Sequence, residues 1–517
     1  MPNSPSGPVP LLQNDAATWL HDSEASRAIE AQALACRPAH ALIEAAGLAV
    51  ARWALAQAPH ARHMWVAAGP GNNGGDGLVA ARWLAEHGRQ VHVTWHGQPD
   101  AAPADAAHAR AAALAAGIVL HPPGAPPPTP PDLVIDALLG LGQRRPLGGA
   151  LAAAVNDMAA CARRGSRVLA VDVPTGLCAD TGRRLGEPCV QAHATLCLLT
   201  AKPGLFTAHG RDAAGDIWFD DLGVAAAGGS ARLACAADAR AALAGRRLAA
   251  HASHKGRFGD VLVVGGAPGM EGAAQLAATA ALRAGAGRVY VCAVAGAAVP
   301  PHAAWPELMH RPWSAVQASA LPGSATVVCG CGGGDALGES LPCLLAQAPR
   351  LVLDADGLNA VAADAALARA LAGRAARGHT TVLTPHPLEA ARLLGVASTE
   401  VQDDRWAAAR ELARRFAAVV VLKGAGTVIA SPDATAVVNR TGSARLASAG
   451  TGDVLAGWIG GCWSAQGTAV SGALSAATGS VWLHGRAVAA DAGLPLPASR
   501  LAEAMAVRAE ALGTPDG

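Results

Sequence analysis

One pattern recurs along this chain and restricts its fold more than any other. A short apolar run enters a loop of glycine, asparagine and aspartate, and apolar positions at helical spacing follow. Residues 63–68 (His-Met-Trp-Val-Ala-Ala) lead into Gly69-Pro70-Gly71-Asn72-Asn73-Gly74-Gly75-Asp76-Gly77, and helical spacing resumes over 78–84. Similar runs stand at 90–95, 132–136 and 167–172, then at 260–266, 288–291, 325–330, 350–356, 380–387 and 418–427. Strands that alternate with helices pair in parallel, because each helix carries the chain back across the sheet. The fold class expected is therefore α/β. At 517 residues the chain exceeds one ordinary core. The pattern breaks in an alanine- and glycine-rich stretch, and the expectation is two doubly wound domains, 15–224 and 241–512, with a flexible tail at 1–14 and a linker at 225–240.

Composition narrows the function classes. A formal net charge of +1 predicts no nucleic-acid partner. No stretch of about 18 residues is free of charge, proline and dense glycine, so no membrane span is expected. The start is Pro/Ser-rich and lacks basic and apolar signal regions, which reads as a loose tail. Eleven scattered cysteines with no C-x-x-C pair point to reduced thiols and a cytoplasmic setting. Arginine almost replaces lysine, and Lys202, Lys255 and Lys423 are the only lysines. A compact point charge on a phosphate is one use that arginine does not duplicate; chance retention is the other explanation.

Open α/β sheets bind ligands beyond the carboxyl ends of their strands. The runs at 132–136 and 167–172 end in Asp136 and Asp172, and the 69–77 loop carries Asn72, Asn73 and Asp76. That loop is neither a Walker A nor a G-x-G-x-x-G. Its oxygen donors suit a hard cation or a ribose-phosphate; alone, it also fits a tight turn.

The second half carries Ala447-Ser448-Ala449-Gly450-Thr451-Gly452-Asp453, followed by an apolar helical segment. Glycines at a helix N-terminus let free N–H groups reach an anion. Asp453 at the first turn suits a base that takes a proton from a hydroxyl attacking a phosphoryl group. An ordinary capped helix fits the same residues. Lys423-Gly424-Ala425-Gly426-Thr427 offers a cation and close N–H groups to nucleotide phosphates.

Taken together the motifs are specific. Asn-Asn-Gly-Gly-Asp-Gly, Asp-Ala-Leu-Leu-Gly-Leu-Gly, Val-Asp-Val-Pro-Thr-Gly and Lys202-Pro203-Gly204-Leu205-Phe206 resemble the epimerase domain of the bifunctional NAD(P)H-hydrate repair enzymes. His-Lys-Gly-x-Phe-Gly, Asp-Ala-Asp-Gly-Leu-Asn, Leu-Thr-Pro-His-Pro-x-Glu, Leu-Lys-Gly-Ala-Gly-Thr and Ala-Gly-Thr-Gly-Asp-Val-Leu-Ala-Gly resemble the dehydratase domain of the same family. The resemblance implies a Rossmann-like first domain and a ribokinase-like second one. Hydrated NADH and NADPH are the implied substrates. The first domain would interconvert R and S hydrates, and the second would dehydrate the S hydrate at the expense of ADP or ATP, giving AMP or ADP and phosphate.

Residue by residue, the resemblance implies that Asn72, Asn73, Gly74, Gly75, Asp76, Gly140, Leu141, Gly142, Gln143, Arg144, Arg145 and Pro146 contact the hydrate in the first domain. Asp172 would be its acid/base group, and Asn73, Asp136 and Thr175 would hold K+. In the second, Ala273, Gly332 and His386 would contact the hydrate, with Asp453 as base. Lys423, Gly424, Ala425, Gly426, Thr427 and Gly452 would hold the nucleotide, accompanied by Mg2+. A homo-oligomer is expected. Two departures stand out: Gly330-Cys331-Gly332-Gly333-Gly334 replaces the family's Gly-Pro-Gly-Leu-Gly, and Gly442-Ser443-Ala444 replaces Gly-Asn-Pro. The alternatives are a ribokinase-like small-molecule kinase fused to a nucleotide-binding module, and a first half that binds without catalysing.

Overall fold

The computed structural model describes residues 7–13, 15–247, 251–296, 304–318, 325–488 and 493–513. The chain forms two compact units, Met1–Arg232 and Leu233–Gly517. No helix among the described residues is long and apolar enough to cross a membrane.

The first unit is built on an eight-stranded sheet. Its spatial order is Val9–Pro10, Asp216–Asp220, Ala194–Leu198, Arg167–Val171, Leu133–Ala137, His63–Ala68, Gln90–Trp95 and Leu120–His121. Every neighbouring pair is parallel except the first. The central strands are fully buried and apolar apart from Asp136 and Thr195, as a sheet covered on both faces requires. From His63–Ala68 the chain winds outward through Gln90–Trp95, then returns to place Leu133–Ala137 on the other side. The loops after His63–Ala68 and Leu133–Ala137 therefore diverge and open a crevice between them. Helix Asn72–Glu86 presses close to the sheet there: a Cβ on Gly77 would stand 2.5 Å from that of Ala137.

The second unit has its own parallel run, in the order Met309–His310, Arg288–Ala293, Asp260–Gly265, Thr326–Cys329, Arg350–Leu353, Thr380–Leu383 and Val419–Leu422. Val428–Ala430 and Ala436–Val438 extend it antiparallel. Its winding reverses between Asp260–Gly265 and Thr326–Cys329, the crevice of this unit. Helix Thr451–Ser464 runs through the core, and all its residues are buried except Gly452 and Asp453. Small residues let it lie against helix Glu271–Arg283: a Cβ on Gly457 would fall 1.9 Å from the Ala277 carbonyl oxygen. The only polar side chain left at its open end is therefore fixed by backbone packing.

Two expectations are corrected here. The tail is not loose throughout, because Val9–Pro10 adds an antiparallel edge strand to Asp216–Asp220 and Leu11 is buried. Proline is tolerated on an edge, where its missing N–H is not needed. Residues 1–6 and 14 of that tail lie outside the described residues. The stretch 225–240 is also more ordered than a flexible linker: Ala231–Leu233 pairs with Trp19–Leu20, and helix Ala236–Arg247 begins within it.

Two candidate active sites

In the first unit a cavity of about 810 Å³ opens at the sheet's reversal point. Asn72, Asn73 and Asp76 line it from the start of helix Asn72–Glu86. Gly140, Leu141, Gly142, Gln143, Arg144, Arg145 and Pro146 line it from the loop after Leu133–Ala137, and Asp172 from the end of Arg167–Val171. Gly74 and Gly75 are not on its wall. Gly74 packs against the Gly69 backbone, and Gly75 packs against Ile43 and Ala106. They let the helix approach, which a pattern of glycines alone does not distinguish from ligand contact.

Asp172 sits at φ 66°, a left-handed conformation that costs a non-glycine residue energy and collects at functional sites. Lys202 Nζ donates to Asp172 Oδ1 at 2.5 Å and to the Leu198 carbonyl at 2.6 Å. Burial opposes the charge on Lys202, but ion pairing, first of all with Asp172, reverses this and leaves its pKa above the usual lysine value. Asp136 is fully buried and accepts from Thr175 N at 2.8 Å and Thr175 Oγ1 at 2.7 Å. Burial raises its pKa to about 6 against those donors. The amide oxygen and nitrogen of Asn73 are both buried with no partner. Gln143, expected at the substrate, spends its amide on the loops: Oε1 accepts from Gly176 N at 2.5 Å, and Nε2 reaches the Leu139 and Gly140 carbonyls.

In the second unit Asp453 projects from the first turn of Thr451–Ser464 and stays partly exposed. Burial, then the charge of Asp354, raise its pKa to about 6. Lys423 Nζ donates to Asp354 Oδ1 at 2.6 Å, and Thr384 Oγ1 donates to the same oxygen at 2.7 Å. A Cβ on Gly452 would stand 3.2 Å from Lys423 Nζ, so the ammonium lies beside the helix N-terminus. Cation and free N–H groups converge there on one small volume, which is how an anion is held. Gly424 and Gly426 take φ values of 132° and 62°, Ala425 is exposed, and Thr427 Oγ1 turns back to the Gly424 carbonyl at 3.2 Å. Buried Arg405 supports this loop from below through the Leu422 and Lys423 carbonyls.

Gly332 and Ala273 meet across the reversal point of this sheet, where a Cβ on Gly332 would stand 2.8 Å from that of Ala273. Beside Gly332, Cys331 is buried, and its ligand atom lies within 4.8 Å of those of Asp354 and Asp453. His386 caps helix Pro387–Leu394. Its Nδ1 accepts from Leu388 N and Glu389 N, and its Nε2 stands 3.1 Å from Glu389 Oε1. Both ring nitrogens are thus engaged by its own helix, while the ring remains 45% exposed for other contacts.

Sequence reasoning missed Asp354, Glu389, Cys331 and Glu30 as site neighbours, and did not pair Lys202 with Asp172. A signal existed for the two pairs. Two of the three lysines bond to an aspartate that follows a strand, and strand-end aspartates were already marked by position.

Each unit thus defines an α/β enzyme, with a carboxylate poised beside a lysine at the carboxyl ends of a parallel sheet. The chain belongs to the family of bifunctional NAD(P)H-hydrate repair enzymes. It is 37% identical to the enzyme of that description, Nnr, from Escherichia coli over 410 residues, 78% of this chain and 76% of that one. Identity to Nnr of Coxiella burnetii is 36% over 494 residues, covering 92% and 94% of the two chains. A family model described as YjeF-related protein N-terminus matches residues 39–204, and one described as NAD(P)H-hydrate dehydratase matches 261–505. Among solved structures, an ADP/ATP-dependent NAD(P)H-hydrate dehydratase from Bacillus subtilis aligns with 28% identity, 52% of this chain, 95% of that one and a TM-score of 0.40.

Proposed function

We propose that this chain repairs hydrated NADH and NADPH with two activities, one in each unit. Residues 15–224 epimerise the R and S hydrates. Residues 241–512 dehydrate the S hydrate with ADP or ATP. The observation that carries this reading is the placement of Asp453, half open at a helix N-terminus, beside Lys423.

In the second unit the nucleotide's terminal phosphate lies against the N–H groups at Gly452 and the 423–427 loop, with Lys423 as counter-charge. Ala273, Gly332 and the exposed face of His386 border the hydrate. Asp453 takes the proton of the hydrate's hydroxyl as its oxygen attacks the terminal phosphorus. Phosphate then leaves from the ring carbon, a neighbouring carbon loses a proton, and the ring double bond returns. A base with a pKa near 6 is ionised at neutral pH yet still accepts a proton readily. Mg2+ bound with the nucleotide would neutralise phosphate charge.

In the first unit Asp172 is the acid/base group, with Lys202 bonded to its carboxylate. The exposed guanidinium groups of Arg27, Arg144 and Arg145 stand on the cavity wall, suited to the pyrophosphate of a dinucleotide. The unpartnered amide of Asn73 fits a cation, and K+ held by Asn73, Asp136 and Thr175 would supply a fixed positive charge to this wall.

The test mixes the full chain with acid-aged NADH and ADP or ATP and follows the near-ultraviolet absorbance of reduced nicotinamide. Recovery of that absorbance with release of phosphate is expected. A stable phosphorylated product without recovery would make the chain a kinase instead.

A further inference from the structure

We propose that Asp76 is the second proton-transfer residue of the first unit, holding the proton with which the substrate hydroxyl leaves while Asp172 activates the incoming water. The inference rests on the epimerase reading and assigns the half of the reaction that Asp172 cannot perform. Water adding to an enamine double bond bonds to the carbon next to nitrogen. One route that inverts that carbon without redox chemistry breaks its C–O bond on one face and makes a new one on the other. Along this route one group gives a proton and another takes one. A single carboxylate ion-paired to lysine is suited only to the second task.

Asp76 meets the geometric requirements of the first. It lines the same cavity as Asp172 but from another wall, the fifth residue of helix Asn72–Glu86. The strands preceding these two walls lie two positions apart in the sheet, with Leu133–Ala137 between them. The cavity that both residues line, about 810 Å³, has room for a ring. Gly140, after the middle strand, leaves the Asp172 side of that cavity uncrowded: a Cβ there would stand 3.1 Å from Asn73 Oδ1 and 3.3 Å from Asp172 Oδ2.

The electrostatics point the same way. The cation within reach, Lys202, is already bonded to Asp172. Among the described residues none makes a hydrogen bond to the Asp76 carboxyl. At the fifth helical position it lies beyond the first turn, where the macrodipole would favour its charge. Glu30, Asp105 and Asp172 face it as like charges, against Lys202 alone. Burial first, and those acids next, hold its pKa well above the ordinary carboxylate range. Glu30 is also raised, by burial and then by Asp172, but an Asn72 hydrogen bond opposes the shift.

The step balances. The Asp76 carboxyl gives its proton to the substrate hydroxyl, the C–O bond breaks, and the ring nitrogen's lone pair forms a C=N bond as water departs. A second water attacks the opposite face and returns that pair to nitrogen, while Asp172 takes its proton. Asp76 ends ionised and Asp172 protonated, and exchange with solvent resets both.

The experiment uses the full chain without nucleotide, and follows conversion of purified R hydrate to S hydrate by chromatography. Asp76→Asn is expected to lower kcat by about 10²- to 10⁴-fold with KM little changed. It should also remove the alkaline fall of the pH profile, because the neutral acid no longer has to survive rising pH. Asp76→Glu keeps the acid and should restore part of kcat together with that alkaline fall, which separates chemistry from a folding defect. The assignment is overturned if Asp76→Asn raises KM alone, keeps the alkaline fall, or costs less than Glu30→Gln. Should the wild type itself leave the R hydrate unconverted, the epimerase reading falls and takes this inference with it.

Discussion

Lys423 Nζ stands 2.6 Å from Asp354 Oδ1, and Lys202 Nζ stands 2.5 Å from Asp172 Oδ1. Each unit thus sets one lysine against an aspartate that follows a parallel strand, Lys202 buried and Lys423 partly exposed. The partner carboxylates, however, are exposed differently to chemistry. Asp172 faces a cavity, whereas Asp354 is almost fully enclosed and leaves the cleft to Asp453.

Asp453→Asn should lower dehydration by about 10²- to 10⁴-fold and leave epimerisation intact. The base must be ionised to act, and its pKa is raised to about 6, chiefly by burial. The wild-type dehydration rate should therefore hold above that pH and decline as pH falls through about 6. A pH profile of phosphate release from S hydrate checks the sign and position of this limb.

Lys423→Met would strand the Asp354 carboxylate, which is only 2% exposed, without its cation. Removing one partner of a buried pair costs about 3–5 kcal/mol, because the remaining charge stays desolvated. A lower unfolding midpoint and a raised KM for the nucleotide are expected together. Calorimetry and initial rates at varied ADP or ATP measure the two effects separately.

Replacing Na+ by K+ at constant ionic strength should raise the thermal midpoint, since a cation at Asn73, Asp136 and Thr175 would relieve a carboxylate buried at 0% exposure. Asp136→Asn should abolish the difference between the two salts. An equal midpoint in both salts for the wild type would count against a K+ site.

Gly457→Val should damage the dehydratase from a distance. A Cβ at Gly457 would meet the Ala277 carbonyl at 1.9 Å, so helix Thr451–Ser464 must shift against Glu271–Arg283. Overpacking of this kind costs about 1–3 kcal/mol or more. It would also displace Asp453 at the helix tip, so kcat for dehydration should fall while epimerase activity is unchanged.

The alternation of apolar runs and helical segments was legible in the sequence because period and turn chemistry are local properties. It showed two α/β units, strand-end aspartates at 136 and 172, and an aspartate at a helix start at 453. Local chemistry could not separate glycines that face a ligand from glycines that admit a helix. Gly74 and Gly75 share the loop motif with Asn72 and Asp76, yet they pack against Gly69, Ile43 and Ala106. Nor could it show which titratable groups share a space. Glu30 lies far from Asp172 in sequence, as Cys331 does from Asp453, and only the winding of each sheet brings them together. The sequence by itself determined which residues could do chemistry, since residue type and turn position are written in the chain. The tertiary structure decided which of them are desolvated and paired, because burial and charge proximity arise only when distant strands converge.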